Sequence, residues 1–249
     1  MDSRKESILE AVVREYIETG IPVSSLLIAE KYSFPLSPAT IRAEMSELER
    51  LGFLTHPHTS AGRTPTEKGY RYFVNMIEQE ERLIERQGLV ARKRIGSVEA
   101  TLEKRLETAS RVLSEITRNM GFAGTQDEIY SHGLGNLFSY PELLDPTRVL
   151  KTAELIDNLT YFIRELPLNF GTKILIGSEV PIGKSAGCSV VISEFKSEIG
   201  DYGYLGIIGP IRMSYEKSLS AINEVKDILE EKNEKTERKT SKRKANKTK

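Results

Sequence analysis

Arg42 and the small residues around it are the first place in the chain where side-chain type and spacing could do chemistry. In SPATIRAEMSELERL, residues 37–51, the residues Ala39, Arg42, Ala43 and Ser46 recur at the three- and four-residue intervals that share one helix face. A guanidinium flanked by such small groups can approach a base edge and make two parallel hydrogen bonds to guanine. Ser37, Pro38 and Thr40 open the same helix, where hydroxyls and unpaired amides suit phosphate or base-edge contacts. Farther on, THPHTSAGRTPT carries His56, His58, Thr59, Ser60 and Arg63 and no acid. That composition fits a polyanion, and these residues are expected on phosphates or in a minor groove, with positioning as their main role. For Arg71, in GYRY, phosphate contact and burial at the root of a helix stand as equal alternatives.

Other chemistries find less support. His56 and His58 alternate as on a strand and could face a zinc ion, but no cysteine lies near them and His132 is the one further histidine. No metal and no cofactor is expected. No nucleophile elbow, P-loop or dinucleotide fingerprint occurs: GLGNLF has its glycines at the wrong spacing, and GIIGP lies between a strand and a turn. Cys188 opens the apolar run CSVVIS and reads as a core residue. The chain is therefore not expected to be an enzyme.

The elements that must position Arg42 follow from periodicity. Residues 4–18 form an amphipathic helix closed by Thr19-Gly20, with Ile8, Leu9, Val12, Val13, Tyr16 and Ile17 inward. A short second helix, capped by Ser24 or Ser25, runs to about Tyr32 with Leu26, Leu27 and Ala29 as its buried side. Ser37 caps the third helix, Pro38 fits its first turn, Ile41, Met45, Leu48 and Leu51 form its core stripe, and Gly52 ends it. Phe53-Leu54 and a return strand near Arg63 to Thr66 add a wing. Three helices and a wing give winged helix-turn-helix geometry over residues 1–73, with the third helix as the DNA reader.

The 36 basic and 36 acidic residues of the 249 cancel, so affinity for nucleic acid must come from local patches. No stretch is long enough to span a membrane, the N-terminus MDSRKESILE lacks the apolar core of a signal peptide, and one cysteine permits no internal disulfide. A cytoplasmic protein with no membrane partner is expected.

Residues 74–120 read as a helical connector, broken near Gly88 and Gly96. Its stripe of Ile95, Val98, Leu102, Leu106, Ala109, Val112, Leu113 and Ile116 could meet a second chain or its own C-terminal domain. Residues 121–232 read as a small α+β domain: GFAGT as a loop, a helix from Asp145 or Thr147 to Leu166 with Val149, Leu150, Ala153, Leu155, Ile156, Leu159 and Phe162 inward, three antiparallel strands, and a last helix from Ser214 to about Glu231 on one face. Residues 233–249 read as a basic disordered tail, with seven basic residues and no acid from Arg238 onward.

Several runs carry a resemblance. SPATIR, PHTSAGRTPT and GYR look like the DNA-binding domain of the heat-inducible transcription repressors of the HrcA type, and IYSHGLGNLFSYPEL, ILIGSE and GPIRMSY resemble the C-terminal half of that family. The resemblance implies a homodimeric winged-helix repressor of chaperone genes that binds double-stranded DNA at an inverted-repeat operator, the CIRCE element. It also implies a GAF-like C-terminal domain and dependence on the chaperonin GroEL. The chain departs from the pattern twice. Ala43 stands where members commonly have Asn, which could read adenine, and TRNMGFAG joins TQDEIYSHG directly where the family has a long stretch with an inserted dimerisation domain. With that insert absent, the 95–116 stripe is the preferred dimer contact. Two rival functions are a transcription regulator whose C-terminal domain senses a small molecule, and a nucleic-acid-binding scaffold.

Overall fold

The structure, a computed structural model, describes residues 1–58, 62–80, 95, 101–166, 171–182, 186–196 and 202–245, with 79, 80 and 231–245 described by backbone alone. Two compact units divide the chain: Met1–Ile84 with Ile211–Met213, and Glu85–Pro210 with Ser214–Lys249.

The first unit is built from α1 (Ser3–Thr19), α2 (Ser25–Lys31), α3 (Pro38–Arg50), the two-stranded wing β1 (Leu54–Thr55) and β2 (Thr64–Pro65), and α4 (Glu67–Glu80). Asp2 caps α1, and Gly20 ends it at φ +68°, in the left-handed region a β-carbon disfavours. Ile8, Leu9, Val12 and Val13 of α1 are buried, as are Ile41, Met45 and Leu48 of α3 and Tyr70, Phe73, Val74 and Ile77 of α4. In α2 the expected side is reversed: Ser25 and Ile28 are buried, whereas Leu26 and Leu27 are exposed. A seven-residue helix has too few turns for its apolar pattern to define one face, and the spacing of Ser25 and Ile28 prevails. The Glu15 carboxylate, also buried, accepts from Lys31 Nζ at 2.7 Å and ties α1 to α2.

The second unit comprises α5 (Leu102–Thr117), β3 (Met120–Gly124), β4 (Ile129–His132), α6 (Leu134–Leu137), α7 (Pro146–Asp157), α8 (Leu159–Arg164), β5 (Thr172–Ile176), β6 (Cys188–Lys196), β7 (Tyr202–Pro210) and α9 (Tyr215–Ala245). Its sheet has five antiparallel strands in the order β4-β3-β7-β6-β5, not three. GFAG, expected as a loop, lies in the buried strand β3. Its glycines serve close packing: a β-carbon on Gly121 would sit 2.4 Å from the Ser110 carbonyl oxygen of α5.

Helices cover both faces of this sheet, correcting the one-sided arrangement. Phe122, Val190, Ile192, Tyr204 and Ile208 point into a core with Leu137, Leu155, Leu159, Phe162 and Ile163 of α6–α8. On the opposite face Gly121 meets α5, and Ser189 Oγ lies 2.9 Å from the Tyr215 hydroxyl of α9. With both faces covered, β6 and β7 are buried almost along their whole length. Two rings fill hollows left by glycines on β7. Phe122 stands directly across from Gly206 on one face, and Phe195 across from Gly203 on the other.

Three further expectations change. The helix expected from residue 145 to 166 breaks at Asn158, and Leu150 and Ala153 on α7 are exposed, Thr152 and Leu155 being its buried residues. The connector stripe packs within its own unit: Leu106, Ala109, Val112 and Leu113 are buried, and Arg105 donates to the Ile228 and Leu229 carbonyls of α9 at 3.2 and 3.0 Å. Burial in a single chain leaves these residues no face for a coiled coil. The tail is helical to Ala245, where Glu231–Lys235 and Glu234–Arg238 have the four-residue spacing that supports a helix. Gly88, Gly96, Val98, Pro167 and residues 246–249 lie outside the described residues.

Candidate nucleic-acid interface

The outward face of α3 is set by its first turn. Ser37 has φ −68° and ψ 152°, outside the helix, and its Oγ accepts from the Thr40 amide at 3.1 Å. The Ser37 and Thr40 hydroxyls lie 2.9 Å apart, so one donates to the other and a single hydroxyl proton of the pair is left for a ligand. Pro38 follows at the position where a missing amide hydrogen costs nothing. With Ile41, Met45 and Leu48 turned into the core, Ala39, Arg42, Ala43 and Ser46 are exposed together, and Ser46 Oγ donates back to the Arg42 carbonyl at 3.0 Å.

The three acids of α3 are each paired. Glu44 contacts Lys5 at 3.2 Å and Arg4 at 3.6 Å, and Glu47 holds Arg50 at 2.7 Å. The hydrogen bond from Arg50 keeps the Glu47 carboxyl below the usual carboxylate range. Glu49 contacts Arg63 Nη2 at 2.8 Å and also the His56 ring. Among the described residues Arg42 has no acidic partner, so the face keeps one cation that is not neutralised beside it. This matters because residues 1–80 hold nine basic and twelve acidic side chains, a balance that disfavours a polyanion unless the acids are screened locally.

The wing is fixed at its root. Val23 and Arg63 exchange two backbone hydrogen bonds of 2.8 Å, and a β-carbon on Gly62 would lie 2.5 Å from the Val23 carbonyl. Thr66 Oγ1 donates to the Gly52 carbonyl at 2.7 Å and accepts from the Gly69 amide at 3.1 Å, joining the end of α3 to the start of α4. Lys68 Nζ lies 4.5 Å from the centre of the Phe53 ring and donates to the Leu51 carbonyl at 2.8 Å. Much of AGRTPTEKGY therefore builds the hairpin.

Of the residues expected at DNA, Ser37, Pro38, Ala39, Arg42, Ala43 and Ser46 share the exposed face, with Thr40 half-buried beside them. His56 and His58 are exposed on the wing; Thr59 and Ser60 lie outside the described residues. Arg63, expected on phosphate, pairs with Glu49, and Arg71 is half-buried on α4. Glu49 was not singled out from the sequence. Its position seven residues before His56, the nearest acid on the N-terminal side of a wing that holds none, was the available signal.

Comparison with known proteins identifies the family. Residues 79–219, more than half of the chain, match the family described as HrcA protein C terminal domain. The chain belongs to the HrcA family. Relatives described as heat-inducible transcription repressor HrcA align along nearly the whole chain. The one from Lachnoclostridium phytofermentans is 28% identical over 326 positions, covering 89% of this chain and 94% of the relative. The one from Carboxydothermus hydrogenoformans is 27% identical over 334 positions, covering 93% and 98%. A stretch of 128 residues is 41% identical to the Moorella thermoacetica protein, covering 51% of this chain and 37% of that one. The first two alignments have more positions than this chain has residues, so those HrcA relatives carry segments with no counterpart here. A crystal structure described as a hypothetical protein superposes with a TM-score of 0.79 at 18% identity, over 93% of this chain and 98% of that one, and so shares the fold. Among the described residues no helix is long and apolar enough to cross a membrane, and no cluster of His, Cys, Asp or Glu could hold a metal.

Proposed function

We propose that this chain is a heat-inducible transcription repressor that binds double-stranded DNA through α3 and the wing, working in the cytoplasm. Its operator is an inverted repeat of the CIRCE type, read by a homodimer whose twofold symmetry mirrors that of the repeat. The observation that supports this best is the capped α3 with Ala39, Arg42, Ala43 and Ser46 exposed and its acids paired elsewhere. Arg42 reads a guanine edge, Ala43 offers only a methyl contact at the next position, and Ser37, Thr40, His58 and the wing residues Thr59 and Ser60 position the phosphate backbone. Arg71 is a weaker backbone contact. Heat diverts GroEL to unfolded proteins, and the repressor, no longer maintained by the chaperonin, leaves its operator.

The test is binding of the full chain to a duplex carrying the inverted repeat and to a scrambled duplex at one stated salt concentration, with Arg42→Ala in parallel. A preference above about a thousandfold for the repeat, of which Arg42→Ala loses about 1–3 kcal/mol, is the expected result. Equal binding to the two duplexes would remove both the operator and the role of Arg42.

A further inference from the structure

Glu49 stands where the recognition helix meets the wing. Its Oε2 accepts from Arg63 Nη2 at 2.8 Å and its Oε1 contacts the His56 ring nitrogen Nδ1, so one carboxylate engages two of the wing's cationic or ionisable side chains. The hairpin does not depend on these contacts for its path. The paired Val23 and Arg63 backbones, the close seat of Gly62 on Val23 and the Thr66 bridge already fix where the wing leaves and rejoins the body. An ion pair about a quarter exposed, between groups positioned by other means, adds little to stability. Its effect is on the wing's charge: a guanidinium held by a carboxylate is not free to displace a counterion from DNA.

We propose that Glu49 determines operator selectivity by holding Arg63, and His56 when it is charged, off the phosphate backbone. Sequence-independent affinity then stays low, and binding depends on what the exposed face around Arg42 can read. The proposal rests on the DNA-binding reading above. It makes Glu49 a positioning residue, acting through the wing cations and not on the bases.

The test measures binding of the full chain to the scrambled duplex and to the inverted repeat across a salt series. In Glu49→Gln, the scrambled duplex binds about tenfold tighter, the slope of log affinity against log salt steepens by about 0.9 for each cation released, and the preference for the repeat falls. Glu18→Gln removes the same charge at a distance without freeing a cation, since Lys31 keeps Glu15, and leaves the slope unchanged. The variant Glu49→Gln with Arg63→Gln has the wild-type net charge, and its slope falls back by about 0.9 from that of Glu49→Gln, to the wild-type value where the His56 ring is neutral. If its slope is instead shallower than that of the wild type by about 0.9, Arg63 already contacts phosphate in the native protein and the proposal is overturned. Weaker binding of Glu49→Gln to both duplexes, or equal steepening in Glu18→Gln, overturns it as well. Thermal melting of each variant establishes that it is folded, and the charge-neutral double variant carries the test should Glu49→Gln not fold. A wild type that binds both duplexes alike sinks the repressor reading, whereas the slopes on the scrambled duplex still report whether Glu49 restrains Arg63.

Discussion

Gly69 lies so near the Phe53 carbonyl oxygen that a β-carbon on it would be 2.3 Å away. The first turn of α4 is thus seated directly on the strand end that leaves α3, and nothing larger than hydrogen fits between them. Gly69→Ala is expected to cost about 1–3 kcal/mol through forced separation of the two segments, seen as a lower melting temperature. Gly135→Ala is the matched comparison. A β-carbon there meets nothing within 4 Å, so its melting temperature should be unchanged or slightly raised.

Ser37→Ala removes the acceptor for the Thr40 amide and should cost about 1 kcal/mol of stability by thermal melting. Ser37→Asp keeps an acceptor and should retain the stability while adding a negative charge at the proposed phosphate contact. Stability preserved and duplex affinity reduced would separate capping from contact; an unchanged affinity would show that no phosphate lies there.

Leu113→Ala, in the α5 stripe, should destabilise the second unit by about 2–5 kcal/mol, since the side chain is fully buried. Denaturant unfolding reads the loss. A variant that keeps its stability but changes its mass in solution would return α5 to the role of a contact between chains.

Stability should fall on the alkaline side. Burial raises the Cys188 thiol above its ordinary value of 9.0, so between that value and the folded one the unfolded chain binds fewer protons, and stability present below pH 9 is lost as pH rises. Lys31 has the same sign: hydrogen bonds to Glu15 and then Glu18 raise its ammonium, and their contribution is complete below 10.5 and disappears as pH climbs through the folded value. A melting temperature that declines above pH 9, less steeply in Cys188→Ala, is expected. A thiol reagent at pH 8 should react slowly with the folded chain and quickly in denaturant.

Residues 238–249 carry seven basic side chains and no acid, whereas residues 1–237 hold 29 basic and 36 acidic ones. Removing 238–249 should flatten the salt slope on scrambled duplex DNA by up to about 0.9 per basic residue lost, with little change in the preference for the repeat. An unchanged slope would make the tail a solubilising segment only.

Helix α3 was legible because its signals are local. Ser37, Pro38, Gly52 and the Ile41–Met45–Leu48 spacing each act within a turn, and they lie where the sequence puts them. β3 was not legible, because GFAG looks like a loop until α5 is present to need its missing side chains. Nor was Arg63's pairing with Glu49 legible, for a related reason. Its composition suits phosphate, but the acid that holds it lies fourteen residues earlier, on an element brought near only by folding. What Leu106, Ala109, Val112 and Leu113 pack against, which local pattern left open, is set by long-range packing within the second unit.

The two glycine hollows on β7 bear on how the chain reaches this fold. Sliding β3 or β6 by two residues along β7 keeps every side chain on its proper face, so burial alone penalises that error weakly. It would, however, drive Phe122 onto Tyr204 or Ile208, or Phe195 onto Leu205, because each ring fits only opposite its own glycine. The pair of rings thereby acts as a proofreading key, favouring the native alignment over a two-residue slip on either side of β7.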